Sequence, residues 1–196
     1  MPDTRADSSA RRELILDAAD FVFCEHGVTA PLDLVVQRAD VGRATLYRNF
    51  PDRAALMRAL LERRFRRLEE TARQYAERDD ALFHLFERIA RYVVESAPLS
   101  DYWRTIDQDD AMLARIHARV SDIFKAPLQR ALDAGLCRSD LQLTDISLIS
   151  GMLGAALRGR SRNEREVLAQ RALELLRTGL VGPGAATTHT GARIRD

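Results

Sequence analysis

A run of seven residues in the first third of the chain concentrates side chains that donate hydrogen bonds to anions. It contains Arg43, Thr45, Tyr47, Arg48 and Asn49. Guanidinium, hydroxyl and amide groups are what proteins use to contact phosphate oxygens and the edges of nucleotide bases. The chemistry that this run predicts is therefore noncovalent binding to nucleic acid.

The positive charge of the chain is concentrated around the same run. The whole sequence has a formal net charge of only +1, so its global charge does not argue for a nucleic-acid partner. Between Arg38 and Arg58, however, five arginines stand against two acidic residues. A short basic stretch in a nearly neutral chain predicts a narrow surface for contact with phosphates.

Catalytic and metal-binding patterns are not found in the sequence. There is no HExxH, no GxSxG and no phosphate-binding loop, and the four histidines are scattered. The two cysteines, Cys24 and Cys137, lack the spacing of metal ligands. We therefore expect no catalytic residue, no metal ion and no cofactor. The rival interpretations are a helical enzyme and a protein-interaction module that has lost DNA binding.

Short helices must hold the basic run at the surface. Apolar periodicity predicts a first helix over 10–26 and a second over 32–39. A three-residue turn leads to a third helix over 43–49, beside which Leu46 and Phe50, four residues apart, should face the core. Two short helices joined by a tight turn and packed on a longer one form the helix-turn-helix layout. The third helix is short enough for its first turn to enter a major groove about 12 Å wide.

The same segment resembles the TetR family of bacterial regulators. The resemblance covers roughly residues 10 to 60. It rests on Ile15 to Ala19, Val22, Phe23, Gly27, the run ADVGRATLYRNF from Ala39 to Phe50, Arg53 and Leu56. It implies that double-stranded operator DNA is the partner and that a small-molecule effector, not identifiable from the sequence, controls binding.

Individual contacts are implied by the same resemblance. Arg43, Ala44 and Thr45 occupy the early turn of the recognition helix, where the family contacts bases and phosphates. Tyr47 matches a tyrosine whose hydroxyl commonly touches phosphate. Arg53 matches a basic residue at the start of the fourth helix that also reaches phosphate.

Other positions leave alternatives open. Arg48 and Asn49 fall where the family varies with operator sequence. The family often donates a hydroxyl from the start of the second helix, but this chain has Ala30 and Pro31 there, with Thr29 one step earlier. The contact from Thr29 is therefore in doubt. Core packing is the alternative role for the tyrosine, and a solvated helix face for any single arginine.

Two further features concern the edges of this segment. Asp40 replaces the turn glycine usual in the family, and because aspartate tolerates the left-handed conformation the turn should survive. Arg11 and Arg12 either contact phosphate or belong to a solvated helix start.

The remaining sequence also reads as helix. We expect an all-α fold, with an N-terminal three-helix helix-turn-helix DNA-binding domain plus a C-terminal helical bundle, and about nine helices in total. The predicted parts are a flexible arm over 1–9, the helix-turn-helix domain over 10–54, a ligand-binding and dimerisation domain over 55–181, and a disordered tail over 182–196.

The resemblance assigns two functions to the larger domain. Helices over 144–158 and 163–180 resemble the pair that forms a dimer contact, where Gly151 and Gly154 would allow close approach; packing within one chain is their alternative role. Candidates to line the effector pocket combine an apolar body with a polar or polarizable group. They are Tyr92, Trp103, His117, Phe124 and Met152. Ordinary core or surface positions are the alternative for each of them.

These features predict a ligand-responsive repressor that binds a palindromic operator as a homodimer. The cysteine content and the lack of a long apolar run favour a cytoplasmic protein with no membrane segment. An effector would favour a conformation in which the two recognition helices no longer match successive grooves. The fourth helix, from residue 52 to about residue 75, links both parts and is the expected lever.

Overall fold

The computed structural model describes residues 4–97, 100 and 111–181. All regular structure in these residues is helical. In chain order the α-helices are α1 (Thr4–His26), α2 (Leu32–Ala39), α3 (Arg43–Asn49), α4 (Arg53–Gln74), α5 (Ala81–Glu95), α6 (Ala111–Asp133), α7 (Asp145–Leu153) and α8 (Arg162–Leu180), and a short 3-10 helix spans Gly154–Arg158. The prediction of an all-α fold is confirmed.

Some predictions fall outside this range. The tail expected over 182–196 and the candidate effector residue Trp103 lie outside the described residues. Within the described ranges, none of the helices has both the length and the apolar character needed to cross a bilayer.

The start of α1 differs from the prediction. We expected a flexible arm over 1–9, but α1 begins at Thr4, so most of that segment is helical. The segment contains neither glycine nor proline after Pro2, and once the later turns of α1 are held by packing, each further residue extends the helix at little cost. Ser8 and Ser9 are exposed, as their polar character indicated, but exposure does not exclude a helix.

The three N-terminal helices pack around a small apolar core. Ile15, Ala19 and Phe23 on α1 are almost completely buried, as are Leu46 and Phe50 at α3, so the predicted inward face of α3 is confirmed. The same core includes further residues from the first turns of α4, namely Leu56, Met57, Ala59 and Leu60. The packing therefore runs continuously across position 54, where the sequence suggested a domain boundary.

A second core fills the helical bundle. Helix α5 lies at its centre and packs against α4, α6, α7 and α8. Leu82 and Leu85 are completely buried, and the rings of Phe86 and Phe124 lie 5.5 Å apart between α5 and α6. Because α4 contributes to both cores, it connects the helix-turn-helix part to the bundle mechanically.

Left-handed residues form the turns around α2. Gly27 follows α1 with φ 81°, a conformation in which glycine has no Cβ penalty. Asp40 follows α2 with φ 50° and ψ 49°, and its backbone N–H donates to the last carbonyls of that helix. Aspartate therefore occupies the left-handed turn position, as the sequence analysis expected.

The helix predicted over 144–158 is divided. Helix α7 ends at Leu153, and the chain continues as the 3-10 helix to Arg158 before an extended residue at Gly159. Gly154 is buried at the point of change. A Cβ on Gly159 would lie 2.7 Å from the backbone nitrogen of Arg165, so the close approach of α8 requires glycine there.

Candidate nucleic-acid interface

Helix α3 presents its polar side chains on one exposed face. Leu46 points into the core, and this anchoring leaves the rest of the short helix outside. Tyr47 is 48% exposed, so it is not a core packing residue, which was the alternative interpretation of this tyrosine. We call the outward set the α3 surface: Arg43, Ala44, Thr45, Tyr47, Arg48 and Asn49, of which Thr45 and Asn49 are half-buried.

Hydrogen bonds within the α3 surface fix several of its side chains. Arg48 donates from Nη2 to the Thr45 hydroxyl at 3.2 Å and from Nε to the Ala44 carbonyl at 3.2 Å. Asn49 donates from Nδ2 to the Thr45 carbonyl at 2.8 Å. These donors are exposed or half-buried, so the oxygen atoms of an approaching anion could replace their present acceptors at little cost.

Arg43, the first residue of α3, is held by the neighbouring helix. Its Nη2 lies 2.6 Å from an oxygen of Asp33, in the first turn of α2. Both side chains are at least half exposed. The sequence pattern did not indicate Asp33 as a partner of Arg43, because only the packing of α2 against α3 brings the two residues together.

Arg53 is engaged by the protein's own backbone. Its guanidinium donates to the Val28 carbonyl at 2.5 Å and to the Ala30 carbonyl at 2.6 Å, and so fastens the α1–α2 loop to the start of α4. Thr29, the possible hydroxyl donor, is exposed between those two loop residues. A phosphate contact by Arg53 or by Thr29 stays a prediction, but Arg53 also has a structural function in this chain.

Arg12 acts on the far end of α3. It donates from Nη1 to the Asn49 carbonyl at 3.1 Å, and its guanidinium carbon lies 4.2 Å from the centre of the Phe50 ring. A cation is favourable at a helix C-terminus, where carbonyl groups lack partners. Arg12 therefore connects α1 to the C-terminal end of α3.

A polar junction joins α1 to the bundle. Arg63 on α4 is 5% exposed and donates to the carboxylates of Asp17 at 2.6 Å and of Asp20 at 3.2 Å, both on α1. Ser96, buried at the end of α5, donates its hydroxyl to Asp20 at 2.8 Å. Asp20 thus accepts hydrogen bonds from both α4 and the end of α5, and so connects α1 to both helices.

The candidate effector residues lie in different environments. Tyr92 is buried, and its hydroxyl accepts from Arg88 Nε at 2.9 Å. Phe124 is completely buried against Phe86. His117 is exposed on α6, and Met152 is 48% exposed on α7. The described structure does not bring these four residues to one site.

The described part of the chain contains no candidate metal site and no cysteine with a lowered thiol pKa. No group of three or more His, Cys, Asp or Glu side chains there is placed to hold a metal ion. Burial raises the pKa of the Cys24 thiol, and the nearby Asp20 raises it further. Burial also raises the pKa of Cys137. A raised thiol pKa keeps the less reactive protonated form at neutral pH.

Comparison with known proteins matches this geometry to one family. The model of the tetR family of bacterial regulatory proteins matches residues 15–60, from the buried stripe of α1 to the second turn of α4. The HTH-type transcriptional repressor LfrR of Mycolicibacterium smegmatis is 36% identical over 99 residues, which are 49% of this chain and 50% of LfrR. The TetR transcriptional regulator SCO0520 from Streptomyces coelicolor is 29% identical, with a TM-score of 0.67 over 88% of this chain and 99% of that one.

Residues 15–60 of the chain are therefore of the TetR type, and the fold of the described residues resembles that of a TetR regulator. The alignment of the chain with the curated relative spans only half of that relative's length. SmeT, the repressor of a Stenotrophomonas maltophilia multidrug efflux pump, shares the fold at 22% identity, with a TM-score of 0.61 over 94% of this chain and 96% of SmeT. SmeT has also been solved in complex with triclosan.

Proposed function

We propose that this protein is a ligand-responsive repressor of the TetR family that binds a palindromic operator as a homodimer. The observation that carries the proposal is the α3 surface, in which polar side chains face outward while Leu46 and Phe50 are buried beneath them. A short helix held in this way can present its first turn to base edges and its flanks to phosphates. Binding to chromosomal DNA would place the protein in the cytoplasm.

A dimer is supported by the outer face of α7 and α8. Leu148 is 60% exposed and Leu175 57%, and with Met152 they line a groove of about 810 Å³ between the two helices. A cluster of large exposed apolar side chains on neighbouring helices is typical of a protein–protein contact. One α3 reads few base pairs, so two copies about one helical turn apart are needed for a specific site.

Effector control is supported by the connections of α4. This helix contributes to both cores and carries Arg63, whose carboxylate partners lie on α1. An effector bound in the bundle would shift α4 or α5 and thereby the spacing of the two recognition helices, with a coupling free energy of about 1–3 kcal/mol. Tyr92, Trp103, His117, Phe124 and Met152 remain the proposed ligand contacts.

The proposal is tested by gel-shift titration with the DNA that flanks the protein's own gene. The double variant Tyr47→Ala, Arg48→Ala removes two exposed side chains of the α3 surface and should weaken binding by about 100-fold. Wild-type binding should also weaken as salt concentration rises, because phosphate contacts release counterions.

Arg78→Ala is the matched control. Arg78 is an exposed arginine that follows the far end of α4 and pairs with Asp80 at 2.7 Å, away from both α3 and the outer face of α7 and α8, so its loss should leave the shift unchanged. A double variant that binds as tightly as the wild type would exclude α3 as the recognition helix. A wild-type protein that binds no genomic fragment would contradict the repressor function.

A further inference from the structure

Asp33 is an acidic residue placed beside the DNA-facing end of α3. It lies in the first turn of α2, and an oxygen of its carboxylate is 2.6 Å from Nη2 of Arg43. The side chains of Asp33 and Arg43 are 50% and 70% exposed. A carboxylate in this position would lie next to the phosphates of any bound duplex, where negative charge is unfavourable.

The partner of Arg43 differs in kind from those of the other arginines nearby. Arg48 donates to a hydroxyl and a carbonyl of its own helix, and Arg53 donates to two backbone carbonyls. These acceptors are neutral, whereas the partner of Arg43 carries a full charge. Asp33 therefore affects the charge of the α3 surface as well as its geometry.

Asp33 also has a simpler structural role. Pro31 precedes α2 without a side-chain cap, and an acidic residue in the first turn stabilises an uncapped helix N-terminus. This role would affect the free energy of unfolding. It would not affect how DNA binding depends on salt or sequence, so the two roles can be separated by experiment.

We propose that Asp33 is a specificity-determining residue that restrains Arg43 from phosphate contacts and positions it for base edges. The proposal rests on the proposed function, since it concerns how α3 reads DNA. Nonspecific affinity comes from phosphate contacts, whereas sequence is read at base edges in the major groove. A residue that weakens the first kind of contact without preventing the second increases discrimination.

The shape of the guanidinium group makes this division of contacts feasible. Arginine has five N–H donors in a planar fork, so one edge can remain on Asp33 while the other donates to a base. A phosphate approaching the same guanidinium would meet the Asp33 carboxylate at close range. In the operator complex, Arg43 would therefore bind a base while its ion pair with Asp33 is retained. In a complex with unrelated DNA, the retained Asp33 carboxylate would repel the nearby phosphate and weaken binding.

The experiment compares the full-length wild type, D33N, R43A and the D33N/R43A double variant. The probes are a duplex that the wild type selects from a random pool and a shuffled duplex of the same length and composition. Binding is measured by fluorescence anisotropy in potassium chloride from about 50 to about 200 mM. Circular dichroism and thermal unfolding report whether each variant is folded.

D33N is expected to bind the shuffled duplex about three- to tenfold more tightly, and to lose a similar factor in the ratio of selected to shuffled affinity. On the shuffled duplex, the slope of log affinity against log salt should become steeper by about one, because Arg43 gains a phosphate. In the R43A background, D33N should change neither the ratio nor the slope.

E70Q is the matched charge control. Glu70 is exposed on α4, about 25 Å along the helix from Arg53, so a charge change there is screened from the α3 surface. E70Q should therefore bind both duplexes like the wild type.

Three outcomes would overturn the inference. If D33N has the wild-type salt slope and ratio, Asp33 is only a helix-stabilising residue. If D33N raises affinity equally with and without Arg43, Asp33 repels DNA but does not position Arg43. If the wild type selects no duplex and binds neither probe, the proposed function fails as well.

Discussion

Arg63 is a buried cation whose partners lie on another helix. Its side chain is 6% exposed, and its guanidinium contacts Asp17 and Asp20, with Glu13 3.7 Å away. A buried charge is tolerated when it is paired. Removing one member of the pair leaves the other charge without its partner and lowers the free energy of unfolding. The exposure of Asp17, at 67%, reduces this penalty, because water can solvate that carboxylate once the arginine is gone.

Replacing Arg63 with methionine should therefore lower the free energy of unfolding by about 2 kcal/mol. Methionine keeps most of the apolar stem, so the loss reports the ion pairs rather than a cavity. Urea denaturation measures the change. Arg66→Met is the control, because Arg66 pairs with Glu13 at 3.2 Å but is 54% exposed, and it should cost less than about 1 kcal/mol. Equal losses in the two variants would show that burial of Arg63 adds nothing.

At the same scale, the sequence predicted the face of α3 but not its partners. The four-residue spacing of Leu46 and Phe50 was sufficient to place Tyr47 and Arg48 outside, and the structure agrees. Asp33 lies ten positions from Arg43 and Arg12 lies 37 from Asn49. Such pairs depend on how helices are oriented in space, and periodicity within one helix carries no information about that orientation.

Helix ends show the corresponding limit at the scale of elements. The bounds of α2 and α3 were predicted correctly, because Pro31, Asp40 and Gly42 interrupt helical backbone geometry on either side of them. The start of α1 was misplaced because its first residues are polar but contain no helix breaker. The change to a 3-10 helix at Gly154 depends on packing against α8 and has no pattern in the sequence.

The turn between α2 and α3 offers a test at this scale. Asp40 has φ 50°, a left-handed conformation that a β-branched residue adopts only with strain. Asp40→Val should lower the free energy of unfolding by about 1–2 kcal/mol. Asp40→Asn, which keeps a side chain that tolerates this conformation, should stay within about 0.5 kcal/mol of the wild type. Thermal unfolding of both variants measures their stabilities. A Val variant as stable as the Asn variant would mean that the turn adopts another conformation.

For the molecule as a whole, the proposed dimer contact is the outer face of α7 and α8, and this contact would determine whether two α3 surfaces can act on one duplex. Leu175 is 57% exposed in the single chain and lines the same groove as Leu148 and Met152. In the sequence, these helices resemble a dimer-forming pair. The sequence pattern does not indicate which of their apolar side chains stay exposed, because that depends on which faces the bundle covers.

Leu175→Glu should separate dimerisation from folding. Each proposed dimer would bury two new carboxylates, and at about 1.4 kcal/mol each the dissociation constant of the dimer should rise about 100-fold. Sedimentation velocity across a concentration series measures it, with circular dichroism to confirm an unchanged helix content. Gln170→Glu adds the same charge about 140° around α8 and should leave the dimer intact.

Operator affinity should fall in Leu175→Glu because less of the protein is dimeric. It should recover as protein concentration is raised, since mass action then restores the dimer with its two α3 surfaces. A variant that stays dimeric at low concentration would place the interface on another face, and a monomer with undiminished operator affinity would show that one α3 surface is sufficient for recognition.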